Sequence, residues 1–375
     1  MPRKIFIIAC ETSGDLHGAH LIHELKKIEP DLEFQGLGGP RMAEEGVALL
    51  EDMTKISALG LGDVLRLYFK FRAIFYRALH AVEAWKPDAL IVIDSPAFNL
   101  RFAKKIKKRF PVFYYISPQI WAWGGRRIHD IKKTVSKMIV ILPFESEIYK
   151  KAGVPYEFVG HPLLDQPAPD ADRPSLRKRF EINEGETAVG LLPGSRESEV
   201  RRILPPMLAS AVLLKKQMPQ TIFFLGQSPN VKHEIYEEIL RHYPEISVRR
   251  QNQSIRDLVS ALDFALIASG TATLEAALLG TPFFLIYKAS LTTYILGKRL
   301  IRVPFLGLAN LLAGKRVVPE FIQDIPPQTV AHEATVLLNN RDLYESMKRE
   351  FAEVKAKLGE PGASRRAAEC ILNSI

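Results

Sequence analysis

Between Asp263 and Pro282 this 375-residue chain reads DFALIASGTATLEAALLGTP, and few folds accommodate that order. Phe264 to Ala268 is a continuous apolar run of strand length. Ser269-Gly270-Thr271 follows as a tight turn, in which Ser269 or Thr271 can cap the next helix. Gly280 ends that helix, and Pro282 opens a further strand, Phe283 to Tyr287. Strand, small-residue turn and helix N-terminus in succession make the βα unit of an α/β protein. They also make a seat for an anion: backbone N–H groups and the helix dipole converge there, and small side chains let a phosphate approach. Glu275, one turn into the helix, is placed to hold the vicinal hydroxyls of a ribose. The alternative is an ordinary turn whose small residues serve packing.

Comparable units run through the rest of the chain. Lys4 to Cys10 reads as a first strand, and Glu11-Thr12-Ser13-Gly14-Asp15 as its turn into a helix. Ala89 to Ile93 is uniformly apolar, as in a parallel-sheet strand buried on both faces, and ends in Asp94-Ser95-Pro96. A carboxylate at the carboxyl end of such a strand sits where open α/β sheets hold ligands. Partial desolvation there suits Asp94 to general-base work; the alternative is an Asx-type cap before Pro96. Trp121 and Trp123, after a Ser117-Pro118 turn, are placed either to wall a sugar or lipid pocket or to pack under a loop. Thr187 to Leu192 leads into Pro193-Gly194-Ser195-Arg196, a second anion turn in which Arg196 can grip a phosphate with two parallel N–H bonds. A kink is expected at Pro205-Pro206 in the helix that follows. Neither G-x-G-x-x-G after a strand nor G-x-x-x-x-G-K-[ST] occurs.

The Pro- and Asp-rich stretch after Gly160-His161-Pro162 reads as a linker. The expected organisation is therefore α/β: two Rossmann-like domains, 1–163 and 164–340, facing each other across a cleft. Helices in 341–375 are expected to pack back on the first domain.

Charge is uneven. Sixteen Lys and Arg between Arg66 and Lys137 face only Glu83, Asp88, Asp94 and Asp130, so one region carries more than the whole net charge of +9. An anionic partner follows: nucleic acid, anionic lipid or a phosphorylated substrate. From Leu59 to Trp85, Val64, Leu65, Tyr68, Phe69, Phe71 and Phe75 form an aromatic apolar face interspersed with Arg66, Lys70, Arg72 and Arg77. This composition suits a helix lying in a membrane interface, against the alternative of a core helix with a wide apolar stripe. The basic run Lys104 to Arg109 favours the membrane surface. No uncharged apolar stretch reaches spanning length, and Cys10 and Cys370 are too few for a disulfide framework. His17, His20 and His23 spread around a helix rather than converge and read as structural or solvent-exposed, and Asp170-Ala171-Asp172 lies in the linker with no strand before it and is discounted as a metal motif.

Taken together, several motifs resemble the lipid-A-disaccharide synthases, inverting glycosyltransferases of GT-B architecture, over nearly the whole chain. They are Glu11-Thr-Ser-Gly14-Asp15, Gly39-Pro-Arg41-Met42, Ile93-Asp94-Ser-Pro96, Phe98-Asn99, Ser117-Pro118 with Trp121-Ala-Trp123, and Leu142-Pro-Phe-Glu145. Gly160-His161-Pro162, Leu192-Pro-Gly-Ser-Arg196, Ala268-Ser-Gly-Thr271 with Leu274-Glu275, and Asn310-Leu-Leu-Ala-Gly314 complete the set. Ala97 and Ala309 depart from the pattern, standing where many members have an acidic residue and a proline. The resemblance implies transfer of 2,3-diacylglucosamine from its UDP derivative to 2,3-diacylglucosamine 1-phosphate, with no metal, at the cytoplasmic face of the inner membrane of a Gram-negative bacterium. It implies Asp94 as base, with Glu11 as helper or rival. UDP or the sugar substrate would lie on Ser13, Gly194, Ser195, Arg196, Ser269, Gly270, Thr271, Glu275 and Asn310. A homodimer is left open, and nucleic acid is not expected because no recognised module accompanies the basic run. The rival readings are another UDP-sugar enzyme of the same fold, such as a hydrolysing 2-epimerase or a soluble glycosyltransferase, and a non-catalytic membrane-associated UDP-binding protein.

Overall fold

The structure is a computed structural model and describes residues 2–57, 64–106, 109–252, 254–300 and 303–375. The chain divides into two compact units, residues 1–166 with 358–375, and residues 167–357.

Each unit is built on one all-parallel sheet. In the first, β1 (Lys4–Ala9), β2 (Glu33–Gly38), β3 (Ala48–Asp52), β4 (Ala89–Ile93), β5 (Val112–Tyr115), β6 (Lys137–Val140) and β7 (Tyr156–Phe158) lie in the order 3-2-1-4-5-6-7. In the second, β8 (Thr187–Leu192), β9 (Thr221–Gly226), β10 (Val248–Gln251), β11 (Phe264–Ala268), β12 (Phe283–Tyr287) and β13 (Glu320–Ile322) lie in the order 10-9-8-11-12-13. The two orders are the same doubly wound pattern. Each reverses direction once, between β1 and β4 in one sheet and between β8 and β11 in the other. Ligands of open α/β sheets bind outside the carboxyl ends of the strands at that reversal, because the helices leave to opposite faces and open a crevice.

The central strands are apolar throughout because both faces are covered. All five residues of β4 and all five of β11 are buried. In the first sheet, Phe6, Ile8, Leu90, Val92, Tyr114, Met138 and Val140 form one face, packed with Ile74, Ala78 and Val82 from the helix Val64–Trp85 and with Phe102 from the helix Pro96–Ile106. The alternation by two residues selects that face. Gly36 is required by close approach: a Cβ there would lie 1.8 Å from the Ile7 carbonyl oxygen, beside the register shift between β2 and β3.

The helix Glu197–Gln217 runs unbroken through Pro205 and Pro206. The expected return of all of 341–375 to the first half is corrected. The helix Arg341–Lys357 packs against Thr271–Leu278, Leu308–Ala313 and Pro327–Asn339 in the second unit, with Phe351 stacked on Phe283. Only from Leu358 does the chain rejoin the first unit, where the helix Ala363–Leu372 packs on Thr12–Ile28. Asp165 fixes that return by accepting the N–H groups of Gly362, Ala363 and Ser364 at 2.6, 3.0 and 2.9 Å, filling the donors a helix start leaves open.

Candidate active site

In the first unit the carboxyl ends of β1 and β4 are neighbours, with Ala9 opposite Ile93. Glu11 and Asp94 therefore emerge side by side at the reversal. Asp94, Ser95 and Ile116 all hold positive φ (46°, 43° and 63°) at this one edge. Such conformations cost about 1–3 kcal/mol each for non-glycine residues and persist only when their surroundings impose them. Here the constraint is visible. The Asp94 carbonyl accepts from Asn99 Nδ2 at 2.7 Å and from the Tyr114 hydroxyl, while Asn99 Nδ2 also reaches the Ile93 carbonyl at 2.9 Å. Asn99 and Tyr114 are fully buried, so the turn is clamped from beneath and the Asp94 carboxyl is presented at the rim.

Burial raises the Asp94 carboxyl from 3.8 to about 6, the nearby Glu11 charge adds to the rise, and the Ser95 backbone N–H opposes it. Cys10, between the two strands, is pushed up to about 12, mainly by burial, and stays a neutral thiol. Ser13 is exposed in the first turn of the helix Thr12–Ile28, which no side chain caps. Asp15 is not part of the rim. It is buried and accepts the N–H groups of Gly39, Arg41 and Met42, tying the second βα turn to the first.

Trp121 is held by Glu145, whose buried carboxyl accepts its indole N–H at 3.2 Å and the Leu142 N–H at 3.2 Å. Burial lifts Glu145 to about 7, against those hydrogen bonds. Trp123 is exposed, with the Arg127 guanidinium 4.0 Å above its ring.

In the second unit the two anion turns lie on adjacent strands, β8 and β11. The helix Thr271–Leu278 is capped at Gly270 (φ 151°) and by no side chain, which corrects the expectation that Ser269 or Thr271 caps it. The N–H groups of Thr271 and Ala272 are thus left for a ligand, while that of Thr273 bonds the Gly270 carbonyl at 3.1 Å. Glu275 Oε1 accepts from Arg256 at 2.9 Å, so its carboxylate is anchored toward the helix Ile255–Ala261. Gly194 holds φ 112°, where a side chain is strained, and a Cβ there would also lie 2.9 Å from the Glu199 Cβ. Glu199 is the residue sequence reasoning missed. Its carboxylate accepts the N–H groups of Ser195 (3.1 Å) and Arg196 (3.3 Å) and pairs with the Arg196 guanidinium at 3.1 Å. A glutamate three residues after the cap position is the signal of a capping box, and it was legible.

Asn310 is corrected as a ligand contact. It is fully buried; its Nδ2 donates to the Val318 carbonyl and Glu320, and its Oδ1 accepts from Val317 and Val318. With donors and acceptor all engaged, it shapes the loop before β13. Ala309 packs in the core beside it. Asp172 caps the helix Arg173–Arg179 and Asp170 lies 3.4 Å from Arg179, so that D-x-D is a structural feature. Among the described residues no group of three or more His, Cys, Asp or Glu is arranged to hold a metal.

The aromatic face divides. Phe71 and Phe75 are half-buried and pack on the core, Phe75 edge-on to Phe98 and Phe102. Tyr68 and Phe69 are each 56% exposed, and Lys70 and Arg72 are exposed beside them. Residues 58–63 and the side chains of Val64 and Leu65 lie outside the described residues. No described helix is long and apolar enough to cross a membrane.

Two doubly wound units, each with its rim groups at the reversal of strand order, make the GT-B fold. Solved structures share the fold. A UDP-GlcNAc 2-epimerase from Neisseria meningitidis aligns over the whole of both chains with a TM-score of 0.66 at 14% identity. MurG from Acinetobacter baumannii aligns over 99% of this chain and 100% of its own, with a TM-score of 0.60 at 14% identity. Sequence is more specific. Residues 5–375 match the lipid-A-disaccharide synthetase family, and the chain belongs to it. The lipid-A-disaccharide synthase of Syntrophus aciditrophicus is 41% identical over 100% of this chain and 98% of its own. That of Myxococcus xanthus is 39% identical, again over 100% and 98%. The chain is a glycosyltransferase of lipid A biosynthesis.

Proposed function

We propose that the chain transfers 2,3-diacylglucosamine from UDP-2,3-diacylglucosamine to the 6-hydroxyl of 2,3-diacylglucosamine 1-phosphate, giving the β-1,6-linked disaccharide 1-phosphate and UDP. The observation that carries this reading is the clamped, desolvated Asp94 at the reversal of the first sheet. At neutral pH its carboxylate is ionised yet basic enough to take the hydroxyl proton. The acceptor oxygen then bonds to the anomeric carbon as the bond from that carbon to the diphosphate oxygen breaks, inverting the centre. Glu11, beside it, keeps the Asp94 proton affinity high. Negative charge gathers on the leaving diphosphate, and Arg196 with the uncapped N–H groups after Gly270 meets it. These groups can do without a metal ion. Glu275 holds the ribose through its carboxylate, and Ser13 lies by the incoming sugar.

The test mixes both acylated sugars with the chain in mild detergent and excess chelator and follows the disaccharide by mass spectrometry. Product at an undiminished rate is expected. UDP release without disaccharide would favour a hydrolysing enzyme, and UDP binding without turnover a non-catalytic protein.

Both substrates carry acyl chains, so the enzyme has to work at a lipid surface, and we assign it peripherally to the cytoplasmic face of the inner membrane. Tyr68 and Phe69 would enter the interface while Lys70 and Arg72 meet anionic headgroups. Tyr68→Ser with Phe69→Ser and Lys70→Glu should lower partitioning into anionic vesicles by about tenfold or more, since each basic residue near such a surface is worth about 1 kcal/mol. Unchanged partitioning in a flotation assay would return this helix to a purely structural role.

A further inference from the structure

The loop from Ile116 to Arg126 leaves the carboxyl end of β5, which pairs directly with β4, so it rises from the same edge as Asp94. Arg127, the first residue of the helix Arg127–Thr134, closes that loop, its N–H bonded to the Gly124 carbonyl at 2.9 Å. The Arg127 side chain folds back over the loop. Its guanidinium lies on Trp123, and a Cβ at Gly124 (φ 71°) would come within 3.2 Å of Nη1. A glycine with positive φ therefore makes room for the cation. Nη1 is buried and has no hydrogen-bond partner, and no carboxylate among the described residues pairs with Arg127. A buried donor on a charged group left unmade is costly, so the Arg127 guanidinium calls for a partner. Arg127 also bears electrostatically on Tyr114, whose hydroxyl holds the Asp94 carbonyl.

We infer that Arg127, braced on Trp123, is the subsite for a phosphate monoester at the rim of the first unit, and that it takes the phosphate of the acceptor sugar. The guanidinium is planar and held by stacking on Trp123, so it can meet phosphate oxygens without first being ordered. Gripping the acceptor by its phosphate would orient the hydroxyl at the other side of the same sugar ring toward Asp94. The inference rests on the glycosyl-transfer reading for the identity of the ligand, and its test is a binding measurement that needs no turnover.

Calorimetry in mild detergent compares 2,3-diacylglucosamine 1-phosphate with the same sugar lacking the phosphate. The unaltered chain should bind the phosphorylated sugar roughly 10- to 100-fold more tightly, the range for hydrogen bonds to a charged group. In Arg127→Ala that preference should collapse while UDP affinity is kept, and Arg127→Lys, which retains the charge but not the fork, should restore part of it. Equal preference in Arg127→Ala and the unaltered chain would overturn the inference, as would the absence of any preference in the unaltered chain. Inorganic phosphate binding as tightly as the phosphorylated sugar would overturn the assignment to the acceptor. A brace with no ligand role would lower the thermal midpoint of Arg127→Ala and weaken both sugars alike. A failure of glycosyl transfer itself would show separately, as no disaccharide in the turnover assay.

Discussion

Replacing Asp94 by asparagine should lower the rate of disaccharide formation by about 10²- to 10⁴-fold, the usual contribution of a positioned general base. UDP affinity should be unchanged, because the anion turns belong to the other unit. The substitution keeps the shape of the clamped turn: Asn99 and Tyr114 hold the backbone carbonyl of residue 94, and an asparagine Oδ1 can still accept the Ser95 N–H that the carboxylate accepts. Loss of rate would therefore report loss of the base. In the unaltered enzyme kcat/KM should fall about tenfold per pH unit once the pH drops below about 6, where Asp94 takes up its proton. A flat profile down to pH 5, or near-normal turnover in Asp94→Asn, would remove this residue from the mechanism and leave Glu11 as the candidate.

The same carboxyl makes a prediction of opposite sign for stability. Its folded value lies above the unfolded one, so the folded chain binds this proton more tightly than the unfolded chain. The stability it contributes is complete below about 3.8 and is lost as pH rises through about 6. At neutral pH the ionised group costs the fold up to about 3 kcal/mol at 1.36 kcal/mol per unit, and less in practice because the group is partly solvated. Asp94→Asn should therefore melt a few degrees higher than the unaltered protein at pH 7, and the gain should shrink at pH 4. Activity and stability moving in opposite directions is what a strained, desolvated base at a site predicts.

Arg196→Ala should weaken UDP binding by roughly 100-fold. The guanidinium is exposed and paired with Glu199 in the free protein, so it is poised at the turn and shares its partner with the Ser195 and Arg196 N–H groups. Removing it deletes a charge-assisted contact to the diphosphate, and it also leaves the Glu199 carboxylate uncompensated where a second anion has to arrive. The two effects separate in a double-mutant cycle. Arg196→Ala with Glu199→Gln should recover several-fold of the lost affinity, since the glutamine oxygen still accepts the turn N–H groups without the charge. Fully additive losses, or UDP affinity unaltered in Arg196→Ala, would place the diphosphate elsewhere.

Much of this was readable from the sequence because it depends on local chemistry. A run such as Ala89 to Ile93 can only be a strand covered on both faces, and Gly194 and Gly270 announce turns that a side chain would spoil. The positions of Asp94, Arg196 and Glu275 after their strands followed from the same local reading.

What the sequence did not carry was which side chains are already spoken for. Asn310 looked like a ligand residue and is consumed by its own loop; Phe75 looked like a membrane anchor and is wedged against Phe98 and Phe102. Conversely, Tyr114 carried no motif, and its placement beneath Asp94 depends on β5 pairing with β4. Strand order decides that pairing, and strand order is settled by long-range packing that leaves no periodicity in the chain. Local patterns set which elements form and where their polar groups emerge. Only the packed sheet decided which of those groups meet a neighbour and which are left facing out.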